Sequence, residues 1–387
     1  MSDIPHITVV GLGKAGCRMV DSLVTAPNVL NRDGAAVVAV GTDTRALRKL
    51  SVKVRIHIGK NRTHGHGTGG NAELGRLCAE DDLQTLGQLF TQGGLVFLFV
   101  GLGGGTGSGA APVLLDCARQ TGVVTVCVAT TPFESDGPQC QQNAQKALAA
   151  ISRASDVLIV VPLDALCEHV GGKNITETLA KANRMLTSAA SSLWRLITHA
   201  GYIGLDFARF REFARRAGGI SHLGFGDATG RNRAAEALQV LLESPLMEKG
   251  RLITEARALL VCIRGGPDLT VKEVGDVMKG IKARAVRACH ISMGTALEDE
   301  YRNRIMLSVV SAESWNAGET APPVEVATVS RPEPENKPNA SDGMQSQQTL
   351  LLETKNRGRF EADEPTVIHG EDLDVPTFIR RKVSIER

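Results

Sequence analysis

The sequence predicts an α/β protein: a mostly parallel, three-layer domain, then a long helix, then an α+β unit. Three observations carry this prediction. Short apolar, β-branched runs alternate with helix-period stretches through the first half. Glycine-rich turns stand where those runs end, and apolar periodicity stops near Ser311. Alternation of this kind packs helices on both faces of a parallel sheet.

The first strand is Ile7 to Val10, closed by Gly11-Leu12-Gly13-Lys14-Ala15-Gly16 and followed by helical spacing through Leu23. A second strand, Ala36 to Val40, ends at Thr42-Asp43, with a helix predicted over Arg45 to Leu50. Side chains at strand ends in such a sheet face the ligand crevice. Lys60 to Gly75, rich in Gly, His, Asn and Thr, reads as a long loop, and Asp81 to Thr91 as a helix. Gly94 to Val100 is a continuous apolar strand of the sort buried on both faces. A dense glycine loop follows, then a helix over Ala110 to Gln120, a strand over Val123 to Ala129, a helix over Asn143 to Ala154 and a strand over Val157 to Val161.

Ile175 to Thr198 has helical spacing over its whole length and predicts a connector between domains. Beyond it, helices are expected over Leu205 to Arg216, Asn232 to Leu242 and Val271 to Ile281, with strands over Ala258 to Ile263 and Arg304 to Val310. The resulting organisation is 1–174, a first domain; 175–200, the connecting helix; 201–312, a second domain; 313–373, a linker; and 374–387, a terminal peptide. Glu, Pro, Asn, Ser and Gln dominate the linker, and no core there repays the entropy of ordering it.

With 387 residues, 42% hydrophobic, the chain can bury two ordinary cores. A net charge of +2, from 44 basic and 42 acidic side chains, gives no global field that argues for nucleic acid or an anionic membrane. Aromatics at 4% provide few stacking platforms for single strands, so the Arg cluster 209–216 reads as a solvated or interfacial helix face. The eight Cys are scattered with no C-x-x-C pair, which reads as reduced thiols, and no metal ligands are assigned. No signal peptide or bilayer-length apolar run is expected.

Gly103-Gly104-Gly105-Thr106-Gly107-Ser108-Gly109 lies between a buried strand and a helix. Glycines let successive amides turn toward one anion, a helix N-terminus adds unpaired N–H groups, and the hydroxyls of Thr106 and Ser108 can donate to phosphate oxygens. No Lys follows, so this is not the G-x-x-x-x-G-K phosphate loop. Gly11, Gly13 and Gly16 alone would also suit a nicotinamide-dinucleotide oxidoreductase, but that fold has no need of the second, denser loop.

The second loop, taken with its surroundings, resembles the tubulin/FtsZ signature. In order, the similarity runs through Gly11 to Gly16, Thr42-Asp43, His64 to Asn71, Pro132-Phe133, Val160 to Asp164, Ile203 to Phe207, Thr229 to Ala237, Gly265 to Leu269 and Met293-Gly294-Thr295, covering roughly residues 5–312. The terminal peptide is similar to the family's C-terminal tail. The resemblance implies a GTP-binding domain, a central helix, and a C-terminal domain that completes the GTPase site of the next subunit in a head-to-tail filament. It implies GTP or GDP as ligand, with Mg²⁺ a possible companion, and a cytoplasmic protein recruited to the division site at the inner face of the membrane.

By position, the resemblance assigns the nucleotide to Gly11, Gly13, Lys14, Gly16 and Arg18 on the first turn, Asp43 at the strand end, and Gly67, Thr68, Gly69 and Gly70. Gly103, Gly104, Gly105, Thr106, Gly107, Ser108 and Gly109 would wrap the phosphates. Pro132, Asp136 and Cys140 would approach them, while Leu179 and Asn183 would meet the base.

The chain departs from the family in its catalytic loop. The pattern N-x-D-x-x-D/E, which places Mg²⁺ or water near the γ-phosphate, is represented here by Gly204, Asp206 and Arg209. One carboxylate survives, and Arg209 cannot accept a proton from water. Arg18 replaces an Asn, Leu179 a Phe and Cys140 an Arg, which weakens the case for guanine selectivity. The expectation is a filament-forming guanine-nucleotide-binding protein with slow or lost hydrolysis; the alternative is a nonenzymatic scaffold that binds nucleotide weakly or not at all. In the tail, Asp374, Val375, Pro376, Phe378, Ile379 and Arg380 form an apolar patch with a basic end, which the resemblance assigns to a membrane-tethering division protein.

Overall fold

The computed structural model describes residues 6–25, 35–90, 94–198 and 204–316, and the short stretches 367–368 and 371–372. Strand and helix alternate from the start: β1 Ile7–Leu12, α1 Gly13–Thr25, β2 Ala36–Gly41, α2 Thr44–Arg48, β3 Val54–His57, α3 Lys60–Thr63, α4 Ala72–Asp81, α5 Leu83–Gly87, β4 Leu95–Gly101, α6 Gly105–Gln120, β5 Val124–Thr131, α7 Pro138–Ala154, β6 Val157–Pro162 and α8 Leu163–Val170. The long helix α9 spans Ile175–Thr198. The second half holds α10 Phe207–Arg216, β7 Ala217–Thr229, α11 Arg233–Glu243, α12 Arg251–Thr254, β8 Ala258–Gly265, α13 Val271–Arg284, β9 His290–Leu297 and β10 Arg304–Trp315.

The ten strands form one sheet in the order β3-β2-β1-β4-β5-β6-β7-β10-β8-β9. The first six are parallel, and β10 runs antiparallel to β7 and β8. The halves join where β6 meets β7, through Leu158 opposite Ile220 and Ile159 opposite Ser221. Residues 367–372 belong to a separate unit, in which β11 Val367–Ile368 pairs antiparallel with β12 Glu371–Asp372, inside the stretch expected to be a linker.

Side chains alternate across a strand, so the central strands feed two cores. Val9, Phe97, Phe99, Val126 and Val128 point to the layer of α1 and α9, while Val10, Leu98, Val100, Cys127 and Ala129 point to the layer of α4, α6 and α7. On α9 the buried stripe is Leu186, Ala189, Ala190, Leu193 and Trp194, and the Trp194 ring meets Phe97 edge-on at 5.1 Å between centroids. A third core lies between α11, α13 and strands β8 and β10.

Several elements differ from their sequence-based expectation. The loop expected over 60–75 contains α3 and the start of α4, and the helix expected over 81–91 is replaced by α4, α5 and a short 3-10 turn. Strands β3, β7 and β9 were not expected. The helix expected from Ala110 begins at Gly105, so most of the dense glycine stretch is helix. Glycine disfavours helix, but packing overrides propensity here. A Cβ at Gly109 would stand 1.9 Å from the Ala72 carbonyl oxygen, and one at Gly105 would stand 2.5 Å from that of Asn71. The missing side chains let α4 lie directly on α6.

Candidate functional site

Parallel strands deliver their C-terminal ends to one side of the sheet, and the ends of β1 and β2, with the turn after β4, open there into a cavity of about 820 Å³. Gly13, Lys14 and Arg18 line it from α1, Thr42 and Asp43 from the end of β2, Gly67 to Gly70 from the following loop, and Gly104, Gly105 and Thr106 from the start of α6. The cavity continues along α2 past Arg45 and Lys49, two cations the sequence reading did not single out.

Two turns meet at its floor. Gly13 has φ +71°, and a Cβ there would lie 3.2 Å from the Gly107 amide nitrogen, so the first turn closes against the second. The earliest amides of α6 have no intrahelical acceptor and lie beside the open space at Gly104. Thr106 Oγ1 stands 2.7 Å from Thr42 Oγ1 and 3.2 Å from Thr68 Oγ1, which ties three loops through hydroxyls. Asp43 caps α2, accepting from the amides of Arg45 and Ala46 at 3.0 Å each, and pairs with Lys14 at 3.2 Å. The Ala46 amide, outweighing partial burial and helped by Lys14, holds the Asp43 carboxyl below the usual range.

Other expected contacts stand behind the cavity wall. Gly11 and Gly16 are packed against Val20 and the Phe99 carbonyl, which lets α1 approach β4. Ser108 is buried, and its Oγ accepts from the Gly103 amide at 2.9 Å, closing the turn from within. Gly107 is buried against the Gly101 carbonyl at the end of β4, and Gly109 is buried against α4. Gly103 lies against Pro132 and the Cys140 carbonyl, so Pro132 and Cys140 support the turn. Asp136 accepts from the Phe133 amide at 3.0 Å and holds its own loop. Leu179 and Asn183 are half-buried on α9 and are not among the described residues that line the cavity.

Asn143 was missed as a site residue. Its amide donates to the Gly70 carbonyl at 2.9 Å and the Gly103 carbonyl at 3.0 Å, so α7 clamps two glycine turns together. A polar residue at helix spacing among Ala144, Ala147, Ile151 and Ala154, the apolar face of a helix whose other face is polar, was the available signal.

Farther along the chain, Asp206 caps α10, its Oδ1 accepting from the Arg209 amide at 2.7 Å, and both side chains are exposed. Gly204 begins this described stretch. The motifs Thr229 to Ala237 and Gly265 to Leu269 meet through buried Arg233, which reaches Asp268 and Glu273 at 2.6 Å each. Thr270 and Glu273 cap α13 reciprocally. Among the described residues no group of three or more His, Cys, Asp or Glu could hold a metal ion. No helix there is long and apolar enough to cross a membrane.

Glycine turns, free amides at a helix start and clustered hydroxyls at the ends of parallel strands define an α/β protein with a crevice whose donors suit an anion. A family model described as "Tubulin/FtsZ family, GTPase domain" matches residues 6–171, and one described as "FtsZ family, C-terminal domain" matches residues 219–314. Cell division protein FtsZ 1 of Archaeoglobus fulgidus is 33% identical over 304 residues, 79% of this chain and 81% of its own length. Cell division protein FtsZ of Buchnera aphidicola subsp. Schizaphis graminum is 32% identical over 391 residues, 99% of this chain and 98% of its own. The solved structure titled "FtsZ dimer, empty" from M. jannaschii superposes with a TM-score of 0.73 at 31% identity, covering 80% of this chain and 88% of that one. The chain belongs to the tubulin/FtsZ family.

Proposed function

We propose that this chain binds GTP or GDP in the 820 Å³ cavity and assembles head to tail into filaments in or near bacterial cell division, with GTP hydrolysis slow or lost. The observation that carries the reading is the convergence of Gly13, Gly67 to Gly70 and the start of α6 on one space, with Thr106 facing it. The residues fit a phosphate chain: unpaired amides and a hydroxyl supply donors, while Lys14 and Arg18 supply positive charge. Mg²⁺ would sit with the phosphates rather than in a protein cage, since it retains water and takes few protein ligands.

Slow hydrolysis follows from the loop at Gly204, Asp206 and Arg209. Gly204 has no side chain, Arg209 is a donor only, and Asp206 already accepts from an amide. One partly engaged carboxylate is left to orient water in the neighbouring subunit's site. Phosphate release at polymerising concentration tests this, and turnover like that of an ordinary cytoskeletal GTPase would refute it.

A second reading, a scaffold that binds nucleotide weakly or not at all, draws on the position of Leu179 and Asn183 outside the cavity lining. Chromatography of nucleotide extracted from purified protein separates the two, because stoichiometric GDP would remove the scaffold.

The tail residues Asp374, Val375, Pro376, Phe378, Ile379 and Arg380 lie outside the described residues. Val375, Phe378 and Ile379 fall at i, i+3 and i+4, a spacing that suits a short helix ordered in a partner's groove. We assign it to a membrane-tethering division protein that would recruit the filament to the cytoplasmic face of the division site, many weak contacts adding avidity.

A further inference from the structure

We infer that Thr42 is a positioning residue for the site, acting on the nucleotide through Thr106. The inference rests on the proposal that the cavity holds a nucleotide's phosphates. Thr42 is 2% exposed at the end of β2, and its backbone is held on two sides. Its carbonyl accepts from the Gly67 amide at 3.2 Å and from Thr63 Oγ1 at 3.3 Å. From this fixed point its hydroxyl stands 2.7 Å from Thr106 Oγ1, while Thr68, 8% exposed, stands 3.2 Å away on the other loop.

A hydroxyl has one proton to donate and two lone pairs to accept with. Without an anion, the three protons of Thr42, Thr106 and Thr68 can be shared in more than one order. An anionic oxygen in the cavity removes that freedom. If Thr106 donates to it, both Thr106 lone pairs are left to accept, one from Thr42 and one from Thr68. This order engages all three protons, and hydrogen bonds in series polarise one another. Thr42 therefore sets both where the Thr106 oxygen sits and which way its proton points, and Thr68 draws the 67–70 loop onto the same point. Charge on the ligand selects the proton order, and the order fixes the direction of the existing Thr68–Thr106 contact.

A methyl in place of the Thr42 hydroxyl cannot occupy a 2.7 Å contact, because carbon and oxygen settle at about 3.3–3.6 Å. Thr42→Val keeps the shape and volume of the side chain but pushes Thr106 away and removes its donor. Thr42→Ser keeps the hydroxyl and loses only the methyl. The experiment is equilibrium titration of a fluorescent GDP into wild type and both variants, with the melting temperature of each nucleotide-free protein as the folding control. Thr42→Val should bind about five- to tenfold more weakly, as expected for one buried hydrogen bond, with its melting temperature close to wild type, and Thr42→Ser should bind within about twofold of wild type. Should Thr42→Val fail to fold, Thr42→Ala, which removes the hydroxyl without crowding, gives the same comparison. Equal binding by wild type and the hydroxyl-less variant, or equal weakening in Thr42→Ser, would overturn the inference while leaving nucleotide binding intact. A wild-type protein that takes up no GDP would instead overturn the nucleotide reading, and this inference with it.

Discussion

Glu298→Ala should destabilise the protein by several kcal/mol. Glu298 lies between β9 and β10, and its carboxylate takes a two-point contact from Arg264, at 2.9 Å from Nε and 3.0 Å from Nη2, and a further hydrogen bond from Arg195 Nη1. The Arg195 and Arg264 side chains are 5% and 4% exposed and the Glu298 side chain 9%, so the three charges are out of solvent. Arg195 lies on α9 and Arg264 on β8, so this cluster fastens the central helix to the second half of the sheet. Arg264 also stands 4.4 Å over the Tyr301 ring, which keeps one contact in the variant. Removing the carboxylate leaves two buried like charges, a loss of about 3–5 kcal/mol. At roughly 2 °C per kcal/mol for a domain of this size, the melting temperature falls by about 6–10 °C. Burial raises the Glu298 pKa, but the Arg264 and Arg195 bonds outweigh it and hold the carboxyl below its ordinary value. Because the folded pKa is depressed, this stabilisation is full above the unfolded value of about 4.3 and lost as pH falls through the folded one. Scanning calorimetry at pH 7 and at a series of acid pH values should therefore show a lower transition for the variant at neutral pH, with the gap narrowing in acid. A variant melting within 1 °C of wild type at pH 7 would refute the reasoning.

Gly109→Ala places a Cβ 1.9 Å from the Ala72 carbonyl oxygen, so α4 must shift off α6 at a cost of about 1–3 kcal/mol or more. Urea denaturation should report that loss, and nucleotide affinity should fall with it as the 67–70 loop moves. Arg209→Asp combined with Gly204→Asn restores the family's pattern of acceptors, and phosphate release under assembly conditions should rise by at least tenfold; an unchanged rate would place the block elsewhere. Burial holds the His169 imidazole below its ordinary pKa beside Ser244, 3.0 Å away, so its contribution to stability is full above about pH 6.5 and lost as pH falls through the folded value. His169→Gln should therefore flatten the pH dependence of melting just below pH 6.5. Deleting 374–387 should leave nucleotide binding and assembly nearly unchanged while abolishing binding to a tethering partner, measured with both proteins monomeric to exclude avidity.

Much of the first half was legible in the sequence because its signals are local. Short apolar runs such as Leu95–Gly101, bounded by glycines and too short for a buried helix, read as buried strands, and the turns at Gly13 and Gly104 announce themselves by composition. Thr42-Asp43, as a strand end, pointed to the crevice side for the same reason. Chain distance hid the rest. The start of α6 at Gly105 contradicts glycine's own preference and follows only from α4 lying against it. Strand β7 was hidden likewise, for it contains four glycines, and a Cβ at Gly226 would stand 1.9 Å from the Ala237 carbonyl oxygen of the helix covering it.

What the sequence by itself determined, then, is the alternation of strand and helix, the glycine turns, and the family resemblance that rests on them. Tertiary structure alone decided which glycines face the cavity and which serve helix packing. It also decided that Ser108 turns inward, that Asn143 joins two turns, that Thr42, Thr68 and Thr106 share one hydroxyl cluster, and that Arg195, Arg264 and Glu298 meet in the interior. The reason is that propensity and periodicity act over a few residues, whereas a close backbone approach or a buried hydrogen bond exists only once distant segments have packed.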